Sequence, residues 1–477
     1  MKLALVGVGG CGTRLVDRFV RAERRTGRSV TNGNVLAFHT ESQPLRQTTA
    51  VPTDQQVRLG DTHPAVLRRD TSTTTTGGEQ TTRARSAPST HSDTFVSENQ
   101  QATPPGTTPR SDGNESVPNK YGVGGDPDVG AQVATADRPE IRRALDRIDE
   151  TEVAATLLVA GLGGGTGSGV GSVLLDELTS IYETPVYTLG VLPAATEPPQ
   201  RALTAARGLQ TLVPRADSVF LVDNEAWCQD GDTTTDCYSS INTMAVERLV
   251  SVFGVGEGAT TPSSEIRIDP ADITRTLDLG GVTTIGRATM PIDTETSGLL
   301  ARVLRLLRRS PSGGATSVDA SQIKTLISQA LQSKLTLPCE ITSADRVLLS
   351  LTGPPDTISR KGFETGRYLL EEETETVEVL AGDEPVQHST ELTATVVLSN
   401  VTSVPRIDQL QQRAVAAQPA PDTNEATTAS PQSEHADTSS PTDHPPTQSR
   451  TGTDTAHNAF DFGDVELDSD TVDSPEE

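Results

Sequence analysis

Short apolar runs alternate with segments of helical spacing through the N-terminal half of the chain. Residues 3–6 form the first run, and residues 15–22 then place apolar side chains three and four apart. Residues 35–38 form a second run and 141–148 a second helical segment. The pattern continues as a strand at 156–160, a helix at 172–181, and strands at 186–191 and 218–222. A long amphipathic helix is predicted over 239–253. Strands separated by helices need crossover connections, which makes the sheet parallel and covers it with helices. Beyond residue 258 the texture changes. Residues 273–277, 298–308 and 320–333 read as helices, whereas 347–351, 376–380 and 393–398 carry β-branched alternation and read as strands. A second, α+β domain is expected there.

Two stretches break the pattern. Residues 61–120 hold nine apolar side chains in sixty, and residues 418–477 hold eleven in sixty. That is too little apolar surface to offset chain entropy, so both are expected to be disordered. They also dilute the composition, which is 34% apolar and 3% aromatic over 477 residues. Of the formal net charge of −26, the tail contributes −13 (fourteen acids, one arginine) and the insert −1 (seven acids, six bases). The remaining 357 residues carry −12 and are moderately acidic. This balance argues against an electrostatic grip on nucleic acid or anionic lipid, which needs Lys and Arg. Lysine is confined to Lys2, Lys120, Lys324, Lys334 and Lys361, and such a surface suits a salt-rich cytoplasm.

Cys11, Cys228, Cys237 and Cys339 form no CxxC pair and no zinc-like spacing with His, so no metal ligand is assigned and reduced cytoplasmic thiols are expected. Residues 1–12 do not resemble a signal peptide. Residues 154–175 are apolar enough to raise a membrane span, but seven glycines interrupt them, and a strand–loop–helix is expected instead.

The interruptions carry the chemistry. Gly7-Val8-Gly9-Gly10-Cys11-Gly12 follows a strand, opens a helix and matches the dinucleotide fingerprint. The ribose-binding acid that should follow about 20 residues on fits poorly. The second strand ends at Phe38-His39, with Glu41 beyond it. Gly163-Gly164-Gly165-Thr166-Gly167-Ser168-Gly169 is more specific, with its five glycines between a strand and a helix and two hydroxyls to donate. It lacks a GK[ST] ending, and no lysine lies near either loop. Phosphate would then be held by backbone N–H groups, a helix dipole and a divalent ion. Gly122-Val123-Gly124-Gly125-Asp126-Pro127-Asp128-Val129-Gly130 supplies a third glycine segment. Three such loops fit a nucleotide polyphosphate better than NAD, which disfavours a Rossmann-type oxidoreductase.

Together these loops resemble the tubulin/FtsZ superfamily of GTPases, whose signature loop Gly163–Gly169 is similar to, with Cys11-Gly12 close to the tubulin form. Ala37-Phe38-His39-Thr40-Glu41 resembles the second phosphate loop, with His39 where the family usually has Asn. Gly190-Val191-Leu192-Pro193, Asp223-Asn224-Glu225-Ala226-Trp227, Lys334-Leu335-Thr336-Leu337-Pro338-Cys339 and Gly353-Pro354-Pro355 look like segments of the archaeal CetZ group. The resemblance spans 1–60 and 121–417.

It implies a Rossmann-type GTP-binding domain (1–60 and 121–235) joined by a central helix (236–258) to a smaller α+β domain (259–417), with the disordered insert and acidic tail outside it. It implies phosphate contacts from Gly9, Gly10, Cys11, Gly12, Thr13 and Arg14 and from Gly163, Gly164, Gly165, Thr166, Gly167, Ser168 and Gly169. Glu197 would face the ribose, and Asn224 and Asn242 would read the guanine edge, with Trp227 packing beside them. Asp269 and Asp272 would be the catalytic acids, inserted into the next subunit's nucleotide site, although Arg267 stands where FtsZ usually has Asn. The same Asp-Pro-x-Asp pattern is also a good helix start. The expected ligand is GTP, with Mg²⁺ carried through its phosphates, and the expected partner a second copy, building filaments that control cell shape. The alternative is a modulator of other tubulin-like filaments. The tail segment Phe460-Asp461-Phe462 is a candidate docking motif for a protein partner.

Overall fold

The computed structural model describes residues 1–66, 122–228, 234–257, 267–292 and 318–418, apart from 334, 356, 359 and 388. The predicted helix at 298–308, residues 67–120 of the insert and the tail beyond 418 lie outside the described residues. Folded structure runs past the expected boundary at 61, because Val66 is buried.

The first part of the chain contains β1 (Leu3–Val8), α1 (Gly9–Thr26), β2 (Val35–His39), α2 (Ser42–Gln47) and β3 (Gln56–Arg58). After the insert come α3 (Pro127–Ala136), α4 (Arg138–Leu145), β4 (Ala155–Gly161), α5 (Gly171–Ile181), β5 (Val186–Leu192), α6 (Pro199–Leu212) and β6 (Ser218–Asp223). A short α7 (Asn224–Trp227) precedes the long α8 (Thr234–Phe253), then α9 (Pro270–Leu277) and β7 (Val282–Pro291). The remainder is α10 (Ala320–Ser333), β8 (Arg346–Gly353), α11 (Arg360–Thr374), β9 (Val379–Pro385), β10 (Glu391–Ser399) and α12 (Pro405–Ala416).

One sheet runs through both halves in the order β3-β2-β1-β4-β5-β6-β7-β10-β8-β9. It is parallel from β3 to β6. β7 is the seam. It pairs parallel with β6 at Val219↔Val282 and Phe220↔Thr283, then antiparallel with β10 from Thr284↔Leu398 to Pro291↔Glu391. β1, β5 and β6 are buried throughout, which explains why they read as unbroken apolar runs. Side chains of β1 alternate between the two layers. Leu3 and Leu5 pack with α1 and α8, and Val6 and Val8 with α3–α6.

Sequence pattern misplaces or misses some second-domain elements. β9 starts at Val379 rather than 376, because Thr376 donates to Asp345 O and Val377 is almost fully exposed. β7 escapes the pattern because its buried Thr283 and Thr284 are polar. Their hydroxyls are satisfied by Ser218 (2.8 Å) and Thr336 (3.1 Å).

α8 sets the geometry of everything that follows. Its twenty residues span about 30 Å at 1.5 Å per residue. Its C-terminal end reaches the start of β1, where the Met1 amino group donates to Phe253 O at 2.9 Å. The loops that follow the strands therefore lie at the opposite end. Phe253 stacks on Tyr187 (6.4 Å between ring centroids) and meets Phe220 edge-on (5.7 Å), which pins the helix to the sheet. Phe253→Ala is expected to lower unfolding stability by about 3–5 kcal/mol, read as a shift in the denaturant midpoint, with Phe253→Leu costing less.

Candidate functional site

At the C-terminal edge of the parallel strands, backbone meets backbone with no room for a side chain. A β-carbon on Gly12 would stand 2.1 Å from Val159 O, and one on Gly167 would stand 2.1 Å from Gly161 O. Gly169 is as close to Pro127 O, at 2.0 Å. These contacts lock α1, β4, the π-helical turn Thr166–Val170 and α3 together. Gly9 takes φ +70°, which carries the chain from β1 into α1 against Gly167. Neither α1 nor the π turn has a side-chain N-cap or an acidic residue in its first turn. Their leading N–H groups are thus left for an anion. In contrast, α3 and α9 are capped by Asp126 and Asp269.

The open amides border a two-part groove. A cavity of about 350 Å³ is lined by Gly10, Cys11, Arg14, Gly163, Gly164, Glu197, Arg201, Asn224, Tyr238 and Asn242. A smaller one of about 130 Å³ shares Gly10, Gly161 and Gly164 with it. It continues past Gly9, Gly165, Thr166 and Gly167 to His39, Glu41, Gly124 and Gly125. Four of the expected phosphate residues line neither part. Gly12 and Gly169 are packing contacts, and Thr13 donates to Gly9 O at 3.0 Å. Ser168 donates to Leu162 O at 2.5 Å, which corrects the expectation that its hydroxyl serves phosphate. Thr166 lies within hydrogen-bond reach of Thr40 (3.0 Å) and stays at the groove wall.

The larger cavity has the chemistry of a base-binding end. Asn224 Oδ1 is buried and accepts no hydrogen bond among the described groups, which leaves it open to a donor in the cavity. Asn242 is buried beside it in the same cavity. Tyr238 sits one turn before Asn242 on the same face of α8, a spacing that would have marked it in the sequence. Burial and the neighbouring Glu197 push its phenol up to about 12, so it remains a neutral hydrogen-bond donor. Burial likewise pushes the Cys11 thiol up to about 11. Glu197 accepts from Ala194 N at 2.8 Å and pairs with Arg201, a second residue the sequence reading missed.

Asn224 is held from two sides. Asp223 caps α7 by accepting from Glu225 N at 3.1 Å, and the same carboxylate is paired with Arg406 of α12 at 3.0 Å. Arg406 also donates to Pro193 O at 2.7 Å, joining the ends of β5 and β6. Both partners are buried, and burial raises the Asp223 pKa despite the cation beside it. On the other side, a disulfide joins Cys228 to Cys237 with Cα atoms 5.4 Å apart. This corrects the expectation of reduced thiols for that pair, while Cys11 and Cys339 are free. The bridge ties α7, which carries Asn224, to the start of α8, which carries Tyr238 and Asn242.

Trp227 packs as expected, donating to Leu335 O at 3.1 Å, with Arg248 stacked 4.6 Å from its ring. It lines a larger recess of about 740 Å³ with Met244 and Arg287, which contains no glycine loop. Asp269 and Asp272 are not brought to the groove. They close a reciprocal capping box at the start of α9, Asp272 N donating to Asp269 Oδ1 at 2.9 Å and Asp269 N to Asp272 Oδ2 at 3.0 Å. Arg267 folds back onto Gly256 O at 3.0 Å.

Residues 111–232 match the tubulin/FtsZ family GTPase domain, and residues 231–416 match the tubulin-like CetZ C-terminal domain. The tubulin-like protein CetZ1 of Haloferax volcanii is 34% identical over 429 residues, covering 88% of this chain and 93% of that protein. This chain belongs to the CetZ family of tubulin-like proteins. Its fold superposes on the GDP-bound monomer of H. volcanii CetZ1 with a TM-score of 0.65 at 32% identity, covering 88% of this chain and all of that one. The GTPγS-bound protofilament of H. volcanii CetZ2 gives a TM-score of 0.65 at 27% identity, covering 87% and 98%. The fold is accordingly that of tubulin and FtsZ; Gly163–Gly169, Glu197, Arg201 and Asn224 fall in the segment that matches the GTPase domain, and Tyr238 and Asn242 in the segment that matches the CetZ C-terminal domain.

Two outcomes test the supports of Asn224. Arg406→Ala strands the buried Asp223 charge and should cost about 3–5 kcal/mol in unfolding free energy. Adding Asp223→Asn, which keeps the cap without the charge, should recover much of that loss. Reducing the Cys228–Cys237 bridge, which closes a separation of nine residues, should cost roughly 2–3 kcal/mol and speed nucleotide release in stopped-flow measurements.

Proposed function

We propose that this CetZ-family chain binds GTP in the groove, assembles head to tail, and hydrolyses the nucleotide at the junction between copies. The observation that carries this is the separation of the groove from Asp269 and Asp272 by the length of α8. Asn242 stands at the groove near the start of that helix, and the two acids follow its far end. Carboxylates so placed cannot reach their own chain's nucleotide, but they can reach that of the next copy along the axis. Such a contact joins two different faces of one molecule and generates open filaments. The protofilament seen for H. volcanii CetZ2 supports the same assembly here.

In this mechanism the open amides of α1 and the π turn hold the phosphates, and Arg14 offsets their charge. Asn224 and Asn242 pair with the guanine edge, and Tyr238 lies against the base. Glu197 and Arg201 border the ribose. Mg²⁺ held through the phosphates would supply neutralisation of the charge that develops in transfer. The capping box uses one oxygen of each carboxylate, and the second oxygens of Asp269 and Asp272 orient the attacking water. The cellular role under this reading is a cytoplasmic filament that sets cell shape. The competing reading is a GTP-binding modulator of other tubulin-like filaments, favoured by the exposed Arg267 two residues before the first catalytic acid.

Light scattering in molar KCl separates the two. GTP-dependent, GDP-insensitive assembly supports filaments, and none at any protein concentration overturns them. Asp269→Asn with Asp272→Asn should lower hydrolysis by at least about 10²-fold while leaving nucleotide binding intact. Mixed with Asn224→Ala/Asn242→Ala chains, this variant should regain activity. No recovery would overturn hydrolysis at the junction between copies.

A further inference from the structure

The segment that leads into α9 carries a cation that the mechanism above leaves idle. Arg267 and Asp269 are exposed and flank Ile268, which is buried in one core cluster with Phe253 and Val255. Asp269 is extended, at φ −110° and ψ 170°. In extended chain, side chains two positions apart share a face, with α-carbons no more than about 7 Å apart. The buried Ile268 therefore turns Arg267 and the first acid outward together. Whatever Asp269 meets on the next copy lies within reach of Arg267.

The place of Arg267 is built. Its Nη2 donates to Gly256 O at 3.0 Å. Gly256 takes φ +77°, and a β-carbon there would stand 2.5 Å from the same nitrogen, so the guanidinium uses room that only glycine leaves. Gly256 N–H in turn donates to Glu384 at 3.2 Å, and Glu384 is buried and paired with Arg28 at 2.8 Å. The other acids nearby are also committed. Glu257 pairs with Lys2 at 2.9 Å, and Asp269 and Asp272 accept from each other's backbone. Among the described residues no carboxylate pairs with Arg267. A carbonyl anchors the guanidinium without neutralising it, and its fork has donors left over.

Under the filament reading, on which this inference rests, the junction brings two carboxylates against a triphosphate. Like charges so placed repel. The nucleotide's own copy has little to offset this, because Arg201 in the groove is paired with Glu197 and only Arg14 is left to face the phosphates. A cation that arrives on the same segment as the acids removes the repulsion.

We propose that Arg267 is a catalytic residue acting in trans: its guanidinium crosses the junction beside Asp269 and bonds the γ-phosphate oxygens of the next copy's GTP. The water oxygen bonds the γ-phosphorus, and the bridging oxygen leaves on GDP with its electron pair. The water proton passes through the carboxylates to solvent. Arg267 exchanges no proton and stabilises the charge spread over the transferred group. GDP lacks that group, so the contact exists only on a GTP-loaded subunit. At molar salt the Debye length is about 3 Å, so an exposed ion pair at the rim of the junction contributes little there, whereas a forked contact to a phosphate shielded from water persists.

The test measures GTP turnover per sedimented subunit in molar KCl, with GTPγS affinity taken below the assembly concentration. Arg267→Ala should lower turnover per assembled subunit by at least about 10²-fold and leave GTPγS affinity within about twofold, which also reports that the variant folds. Arg267→Lys, which keeps the charge and loses the fork, should fall between the two. Filaments of Arg267→Ala should bind GDP with aluminium fluoride, a mimic of the transferred phosphoryl group, about tenfold more weakly than wild type. Mixing Arg267→Ala with Asn224→Ala/Asn242→Ala chains should restore turnover, because the second chain lends its Arg267 to the first chain's nucleotide. Wild-type turnover in Arg267→Ala filaments, a loss of polymer mass that accounts for the whole loss of rate, or no recovery on mixing overturns the role of Arg267 alone. Wild-type protein that binds GTP and never assembles overturns the filament reading and this inference with it.

Discussion

Contacts between bare backbones at Gly12, Gly167 and Gly169 hold the whole site in place. Each leaves about 2 Å where a β-carbon would go, so carbonyl and α-carbon define the spacing of α1, β4 and α3. A methyl group at any of them would push a helix away from the sheet and turn its amides off the groove. The same contacts explain why α1 and the π turn carry no side-chain caps. Their first turns are pressed against neighbouring backbone, and the remaining free N–H groups face the one direction left open. Anion binding here is a by-product of packing geometry, and it needs no lysine.

How legible the site was depended on how local its determinants are. The glycine loops are contiguous, so their spacing announced phosphate chemistry directly. Their division of labour was not legible. Nothing in Gly163–Gly169 says that Ser168 turns back to Leu162 O while Thr166 stays at the wall. Tyr238 was within reach, since its spacing to Asn242 is one helical turn. Arg406 was not, because it meets Asp223 across 183 positions of chain. The Cys228–Cys237 pairing lies close in sequence, yet spacing without a metal or redox motif carried no weight. The parallel half of the sheet was legible from its unbroken apolar runs. β7 was not, because its buried threonines satisfy one another across strands and imitate a surface segment.

α8 makes the molecule two-ended. One end of the rod displays amide and phenol groups around a groove, and the other ends near a pair of carboxylates fixed by their own capping box. Because Phe253 is stacked into the sheet through Tyr187 and Phe220, the rod cannot slide without disturbing the core.

Arg406 adds a condition on timing. The residue that ties the strand ends behind the base pocket lies in α12, near the C-terminal end of the described residues. During synthesis the glycine loops emerge early, but Asp223 keeps an uncompensated charge until about four hundred residues have been made. A chain that lacks α12 lacks the Arg406 contacts to Asp223 and Pro193 O.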